Sequence, residues 1–318
     1  MKVYLLDSFD DPRLPREEWN RLARTVFQTW EWQKAWWQTF GRGDLLLAVA
    51  EQEGRVVAVA PMFLDGGMVF FTGSGGSDYL DFLGDVDGEG VMEALLEAAL
   101  GAAPELLGFR FYHVVDSSSA GERLRAAASR LGLVCHDEGE MAAPYLNVPS
   151  CGEQAANKGS LVRHERRLAR EGRLEVIHCT DSGQVIPWLD AFFEQHERRW
   201  SGTEFPSLFV DPAQRQFYRR VAQLGGEAGW LRFARVMWNG QAAAFHFGFH
   251  YRGEFLWYKP SFEVALAKRS PGEVLLRDLI LRAIEEGAEV FDFGLGEEGF
   301  KRRFATGSRV VRTWGLYP

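Results

Sequence analysis

The sequence predicts an α/β (α+β) fold of two tandem units, each a mixed, mostly antiparallel sheet flanked by helices. Three observations predict it. Two triplets of short apolar strands share one spacing. Each triplet is followed by the same succession of helix, strand, helical segment and strand. A length of 318 residues holds two such units more readily than one large sheet. The expected division is 1–150 and 151–318.

In the first half, Asp44–Glu51, Arg55–Leu64 and Met68–Thr72 read as strands parted by Gly54 and Gly66-Gly67. In the second, Trp230–Trp238, Gln241–Tyr251 and Glu254–Pro260 do the same around Gly240 and Gly253. Gly54 and Gly67 stand 13 residues apart, and so do Gly240 and Gly253, which fits paired hairpins with tight turns. A helix follows each triplet (Gly90–Leu100; Pro271–Glu286), then a strand (Leu106–Val114; Glu289–Phe293) and a final strand (Ala143–Val148; Arg309–Tyr317). Between the halves, 152–173 is polar, and its predicted helix carries Arg163, Arg166, Arg167 and Arg170, read as spread over much of the circumference. That helix is read as a solvated linker or as a guide for an anionic ligand. Pro187–Trp200 and Pro212–Leu224 read as amphipathic helices with Leu189, Phe192, Phe193 and His196 on one face.

Composition narrows the classes. With 46% hydrophobic and 25% charged residues the chain is of globular type. No apolar run approaches the roughly 18 residues that a membrane span needs. The N-terminus carries early acid and too short an apolar stretch for a secretory signal, so the expected location is the cytoplasm. Cys135, Cys151 and Cys179 are odd in number and lack metal-ligand spacing, and no metal site is expected. Net charge is −8, but residues 1–150 hold 12 Lys/Arg against 23 Asp/Glu, and 151–318 hold 24 against 21. The acidic total argues against strong nucleic-acid binding, while a polyanionic ligand would favour the second half.

The start of the Pro271–Glu286 helix is the leading ligand-site candidate. The first N–H groups of a helix lack intrahelical partners and carry partial positive charge, so they hold phosphate. Lys268 and Arg269 precede it. Ser270 is the expected N-cap, in a capping box with Glu273, and Pro271 occupies the first helical position. Gly294-Leu-Gly-Glu-Glu-Gly299 fits a G-x-G-x-x-G pattern, but only 19 residues follow it, too few for a dinucleotide βαβ unit. No G-x-S-x-G, H-E-x-x-H or paired C-x-x-C occurs, so serine hydrolase and zinc enzyme are unsupported. His246 and His250 alternate with phenylalanines on one strand and read as a buried, hydrogen-bonded pair.

Several motifs carry a family resemblance: Trp30-Glu-Trp-Gln-Lys-Ala-Trp-Trp37, Asp78-Tyr-Leu-Asp81, Arg163-x-x-Arg-Arg-Leu168, Arg198-Arg-Trp200, Ser270-Pro-Gly272 and Phe291-Asp-Phe-Gly294, the last followed by Gly296-Glu-Glu-Gly-Phe-Lys301. In this order they resemble the CelD-like acetyltransferases of the GNAT superfamily, associated with cellulose and exopolysaccharide genes. More distantly they resemble the Fem-type peptidoglycan aminoacyltransferases. Arg269-Ser-Pro-Gly272-Glu-Val274 is also a partial match to the GNAT pyrophosphate loop, departing at Val274. The resemblance implies two GNAT-like domains, acetyl-CoA or another acyl-CoA in the C-terminal one, and an acidic N-terminal one without cofactor. It implies an amine acceptor, a small molecule or saccharide, in the groove between them, and no nucleic-acid partner.

On this resemblance Trp257, Tyr258, Lys268, Arg269, Ser270 and Gly272 would hold the cofactor, with the backbone of Phe255–Pro260 serving the thioester and Pro260 ending the donor supply. Asp78, Tyr79, Asp81 and Lys301 would meet the acceptor. Asp292 or Glu298 would take the proton of the attacking amine; Asp292 reads equally as the cap of the Gly294–Gly299 turn. Phe300 stands where the family often has a tyrosine that protonates the leaving thiolate, leaving Tyr258 or water for that task. The alternatives are a non-catalytic GNAT-derived binding protein and an aminoacyl-tRNA-dependent transferase of the Fem type.

Overall fold

The computed structural model describes residues 1–103 and 105–318. In chain order it has strands β1 (Lys2–Leu6), β2 (Asp44–Gln52), β3 (Arg55–Asp65), β4 (Met68–Phe71), β5 (Leu83–Gly84), β6 (Gly108–Val115), β7 (Val134–Asn147), β8 (Leu174–Cys179), β9 (Leu231–Trp238), β10 (Gln241–Tyr251), β11 (Glu254–Phe262), β12 (Val290–Asp292) and β13 (Gly307–Tyr317). Its α-helices are α1 (Arg16–Leu22), α2 (Trp30–Phe40), α3 (Val91–Ala102), α4 (Ala120–Arg130), α5 (Val148–Ala156), α6 (Gly159–Glu171), α7 (Ser182–Val185), α8 (Leu189–Trp200), α9 (Pro212–Glu227), α10 (Pro271–Glu285) and α11 (Gly299–Arg302).

The chain divides into two compact units, Met1–Ala142 with Arg309–Pro318, and Ala143–Ser308. Unit 1 orders its strands β1-β2-β3-β4-β6-β13, and unit 2 orders its own β8-β9-β10-β11-β12-β7. The two orders correspond strand for strand. In each, the first four strands run antiparallel to their neighbours. The fifth is parallel to the fourth, and the sixth antiparallel to the fifth. In each unit a helix, α3 or α10, joins the two parallel strands, as a parallel pair requires a crossover.

The shared spacing has a conformational cause. At the four matched hairpins the turn residues are Glu53-Gly54, Gly66-Gly67, Asn239-Gly240 and Arg252-Gly253, and all eight have positive φ. Two consecutive left-handed residues make the tight turn whose twist matches that of paired strands, and the second place is glycine each time.

The division differs from 1–150 and 151–318 at its ends. Ala143–Asn147, expected to complete the first sheet, pairs with β12 through Asn147↔Val290, Leu146↔Phe291 and Tyr145↔Asp292. The C-terminal strand, expected in the second, pairs with β6 through Leu316↔Phe109 and Trp314↔Phe111. Hydrophobic alternation marks a strand but not the neighbour that covers its edge. Each unit has its own core: Phe71, Phe109, Phe111, Trp314 and Leu316 in unit 1, and Phe255, Trp257, Leu275, Leu279 and Phe291 in unit 2. No helix among the described residues is long and apolar enough to cross a membrane.

Candidate active site

In unit 2 the site begins where two parallel strands separate. β11 lies along β10 for its whole length, but its pairing with β12 comprises only Glu254↔Val290, Phe255↔Phe291 and Leu256↔Asp292. The paired register stops six residues before β11 ends at Phe262. Immediately after that last pair β11 carries a bulge: Leu256 faces Phe249 and Lys259 faces Phe247, so Trp257 and Tyr258 together oppose Gly248. A bulge bends its strand and raises the local twist, which turns β11 away from β12 at this point.

α10 starts against the far end of β11, at Phe262. Ser270 is its N-cap, but in the left-handed conformation (φ 56°, ψ 49°), and its side chain caps nothing. Side-chain capping requires an extended N-cap residue, so the expected box with Glu273 does not form. The Glu273 carboxylate goes instead to Arg303 at 2.9 Å and His164 at 2.9 Å. The Ser270 carbonyl accepts the N–H groups of Glu273 and Val274. A Cβ on Gly272 would meet the Phe262 ring at 3.3 Å, so backbone and ring are already in close contact there. Lys268 is exposed, whereas Arg269 donates to Glu171 at 2.8 Å and lies over the Trp238 ring. Arg269 is therefore committed to protein partners, although its side chain stays partly exposed.

Two helices, α5 and α6, occupy the stretch expected as one linker helix. The arginines of α6 are not spread around it. At 100° per residue Arg163, Arg166, Arg167 and Arg170 fall within an arc of about 100°, and Leu161 and Leu168 are buried in the unit 2 core. Arg167 bonds Glu171 and the Lys268 carbonyl. Arg163, Arg166 and Arg170 are exposed, with no acidic partner among the described residues.

At the end of β12, Asp292 is buried, and its Oδ1 accepts the N–H of Gly294 at 2.7 Å. It caps the turn, one of the two roles the sequence left open. Lys301 is buried too: its Nζ donates to the carbonyls of Leu295 (2.5 Å) and Gly294 (3.4 Å) and lies 2.8 Å from Glu298 Oε2. The 294–301 loop is thus tied from inside by one ammonium, with Glu298 on its exposed side. Phe300 packs edge-on to Phe293, 6.4 Å between centroids, which accounts for an aromatic ring without a hydroxyl. Trp257 and Tyr258 are both nearly buried. Trp257 stacks on His246, while Tyr258 packs against Phe249 under the Lys259 ammonium.

The alternation of β11 also corrects the expectation for Pro260. The Tyr258 N–H is directed to the β10 side, where it meets His246, so Pro260, two residues on and opposite His246, also turns that way. Its missing N–H falls on the β10 side and takes nothing from the edge that leaves β12. His246 and His250 do not bond each other: His250 Nδ1 lies 2.7 Å from Glu286 Oε2. Sequence reading overlooked Gly248, whose place inside an apolar strand is itself a bulge signal, and the buried pair Gln195 and Ser261, bonded at 2.8 Å.

Unit 1 treats the equivalent place differently. β4 pairs with β6 at Met68↔Gly108, Val69↔Phe109 and Phe70↔Arg110 and then departs. The chain after β4 returns to β6: Leu80 N–H donates to the His113 carbonyl, and His113 Nδ1 lies 2.9 Å from the Ser77 carbonyl. Trp32 Nε1 donates to Ser77 Oγ, and Phe82 packs on Phe71 and Phe111. Of the residues expected to meet an acceptor, Tyr79 is buried edge-on to Phe27, and Asp81 accepts the N–H of Phe82; Asp78 is half-buried. α3 begins at left-handed Gly90, preceded by Asp85, Asp87 and Glu89 and by no Lys or Arg. No group of three or more His, Cys, Asp or Glu side chains suited to a metal ion occurs among the described residues.

Residues 156–302 match the family model of the acetyltransferase (GNAT) domain. The crystal structure of FemX aligns with a TM-score of 0.68 at 10% identity, covering 99% of this chain and 97% of that one. A tandem GNAT protein from the clavulanic acid biosynthesis pathway aligns at 0.56 and 13% identity, covering 99% and 97%. The C-terminal domain of a putative lysylphosphatidylglycerol synthetase from Agrobacterium fabrum aligns at 0.55 and 16%, covering 85% and 83%. At such identities the likeness is one of fold, and the fold is of the GNAT acyltransferase type. No curated protein matches the chain by sequence.

Asp81 provides a pH test of the packing after β4. Although the residue keeps some surface exposure, desolvation pushes its carboxyl up to about 6, against the Ser118 hydrogen bond, the Phe82 N–H and the Arg24 charge. A folded value above the ordinary 3.8 means the fold favours the neutral acid. The associated stability is present below pH ~4 and is lost as pH rises through ~6. Asp81→Asn keeps the acceptor for Phe82 and removes the charge. Its melting temperature should exceed that of the native protein at pH 7.5, with the difference shrinking towards pH 4. An equal difference at both pH values would contradict this.

Proposed function

We propose that unit 2 is an acyl-CoA-dependent N-acyltransferase. Acetyl-CoA or another acyl-CoA would be the donor, and an amino sugar or other small amine the acceptor. One observation carries this reading: within the region matching the acetyltransferase domain, β11 parts from β12 after Leu256, and α10 starts against the end of the freed stretch. That arrangement offers an opening for an extended pantetheine next to a helix start for its pyrophosphate. Lys268 would contribute charge, and the N–H of Gly272 a donor. Arg269 would act indirectly, by fixing the turn against Glu171.

In the reaction the amine nitrogen attacks the thioester carbonyl carbon. A C–N bond forms, the C–S bond breaks, the amine proton passes to a base and the CoA sulfur leaves as thiolate. A free amine near the ordinary Lys value of about 10.4 is mostly protonated at pH 7, so a proton acceptor is required. Asp292 is the first choice for that base and Glu298 the second. With Phe300 unable to donate, Tyr258 or water would protonate the thiolate. The CelD-like resemblance supports an exopolysaccharide or cell-envelope acceptor. Unit 1 would contribute no cofactor site, since its own Ser77–Phe82 segment bonds the β6 edge that β4 leaves.

One observation favours a second reading, aminoacyl-tRNA-dependent transfer. The outward arginines Arg163, Arg166 and Arg170 suit a phosphate backbone. The acidic total of the chain opposes it.

Lys268→Glu reverses an exposed charge at the proposed phosphate site. It should weaken acetyl-CoA binding by about tenfold in calorimetry with the melting temperature unchanged. Equal affinity in variant and native protein would place the cofactor elsewhere. Asp292→Asn retains the acceptor for Gly294 and removes basicity. With an amine acceptor in hand it should lower kcat by about 10²–10⁴ at unchanged CoA affinity. Turnover near that of the native protein would leave Asp292 with the turn-capping role alone.

A further inference from the structure

Between β10 and β11 a side chain enters the ladder of backbone hydrogen bonds. His246 of β10 is fully buried, and its ring lies in the bulge of β11. Its Nε2 is 3.3 Å from the backbone nitrogen of Tyr258, which donates to it. The Leu256 carbonyl adjoins the same place, 2.3 Å from where a Cβ on Gly248 would sit. The ring stacks on Trp257 with centroids 5.3 Å apart and an interplanar angle of 20°.

Gly248 provides the space. A Cβ there would come within 2.2 Å of His246 Cε1 and 2.4 Å of Nε2, closer than any tolerated contact. Even an alanine would expel the imidazole. The position of His246 also carries a cost, because its Nδ1 is buried with no hydrogen-bond partner among the described residues. An orphaned buried polar atom destabilises a fold, so its retention calls for a compensating role. Burial pushes the imidazole down to about 3, against a hydrogen bond to the Leu256 carbonyl, so it stays neutral; it accepts from Tyr258 at Nε2 when the proton sits on Nδ1 and donates to Leu256 in the other tautomer.

We infer that His246 is a positioning residue that wedges open the bulge at Trp257–Tyr258, with Gly248 as its socket. By taking the Tyr258 N–H in place of a β10 carbonyl, the imidazole prevents β11 from closing onto β10 in regular register. Closure by one residue would move Lys259 and the positions after it to the other side of the strand. The wedge therefore decides which backbone groups face the β12 side, immediately beyond the Leu256↔Asp292 pair. The functional part of this inference rests on the acyl-CoA reading; the wedge itself does not.

His246→Phe keeps a flat ring on Trp257 and removes the acceptor, while His246→Gln restores an acceptor on a flexible stem. Gly248→Ala expels the ring from the other side. Two quantities would be measured: exchange of the Tyr258 amide by NMR, and acetyl-CoA affinity by calorimetry, each beside the melting temperature. We expect His246→Phe and Gly248→Ala to lose Tyr258 protection and to weaken acetyl-CoA by about tenfold. The double variant should be no worse than the more affected single one, and His246→Gln should recover part of both quantities. Unchanged Tyr258 exchange in folded His246→Phe overturns the wedge. Lost protection with unchanged acetyl-CoA affinity overturns its link to the groove. If the native protein binds no acetyl-CoA, the acyl-CoA reading fails, and amide exchange still decides the wedge. Should His246→Phe fail to fold, Gly248→Ala supplies the same two readouts.

Discussion

The site in unit 2 depends on one strand being held unequally by its two neighbours. β11 is paired along its length with β10 and through three residues with β12. Had β12 continued beside it, the edge beyond Leu256 would be ordinary sheet, with its donors and acceptors consumed. Two local features end the pairing. β12 stops at Asp292, whose carboxylate takes the Gly294 N–H and turns the chain into the 294–301 loop. β11 bends at the bulge over Gly248. Neither involves a large apolar surface, so the opening is set by hydrogen bonds and conformation on a hydrophobic base, the stacked Phe255 and Phe291 with Trp257 tilted against Phe291.

The two units show how one topology is adapted to different ends. Strand order, parallel fourth and fifth strands, positive-φ hairpins and a left-handed N-cap before the crossover helix are common to both. The connection leaving the fourth strand differs. In unit 1 a Gly/Ser-rich segment leads into Tyr79, Leu80 and Phe82, which are apolar enough to be drawn into the core, and Leu80 takes a carbonyl of β6. In unit 2 the chain leaves β11 through the short 3₁₀ turn Val264–Arg269, which ends in two basic residues at the crossover helix. Burial in one unit and charge in the other follow from a handful of residues in a single connection.

Much of this was legible in the sequence. The turn glycines, apolar strands and crossover helices lie within a few residues of where periodicity puts them, because each depends on local conformation or on a single buried face. Alternation marks Ala143–Asn147 and 309–317 as strands but carries no record of a partner, and each pairs in the unit opposite to the one expected. The capping box at Ser270 failed for a local reason, the left-handed N-cap, that its residue types do not announce. The α6 arginines share one face, which their numbers alone fix at 100° per residue, against the expected spread around the helix. Gly248 could have been recognised as an interruption in a run of phenylalanines, and with it the bulge that turns β11.

Two matched units with one cofactor site is the central claim, and stoichiometry tests it most directly. Calorimetric titration of the full chain with acetyl-CoA should give one site per chain, with the affinity reduced by charge reversal at Lys268. Two equivalent sites would contradict the asymmetry between the units. No heat and no thermal stabilisation at saturating acetyl-CoA would contradict the acyl-CoA assignment itself.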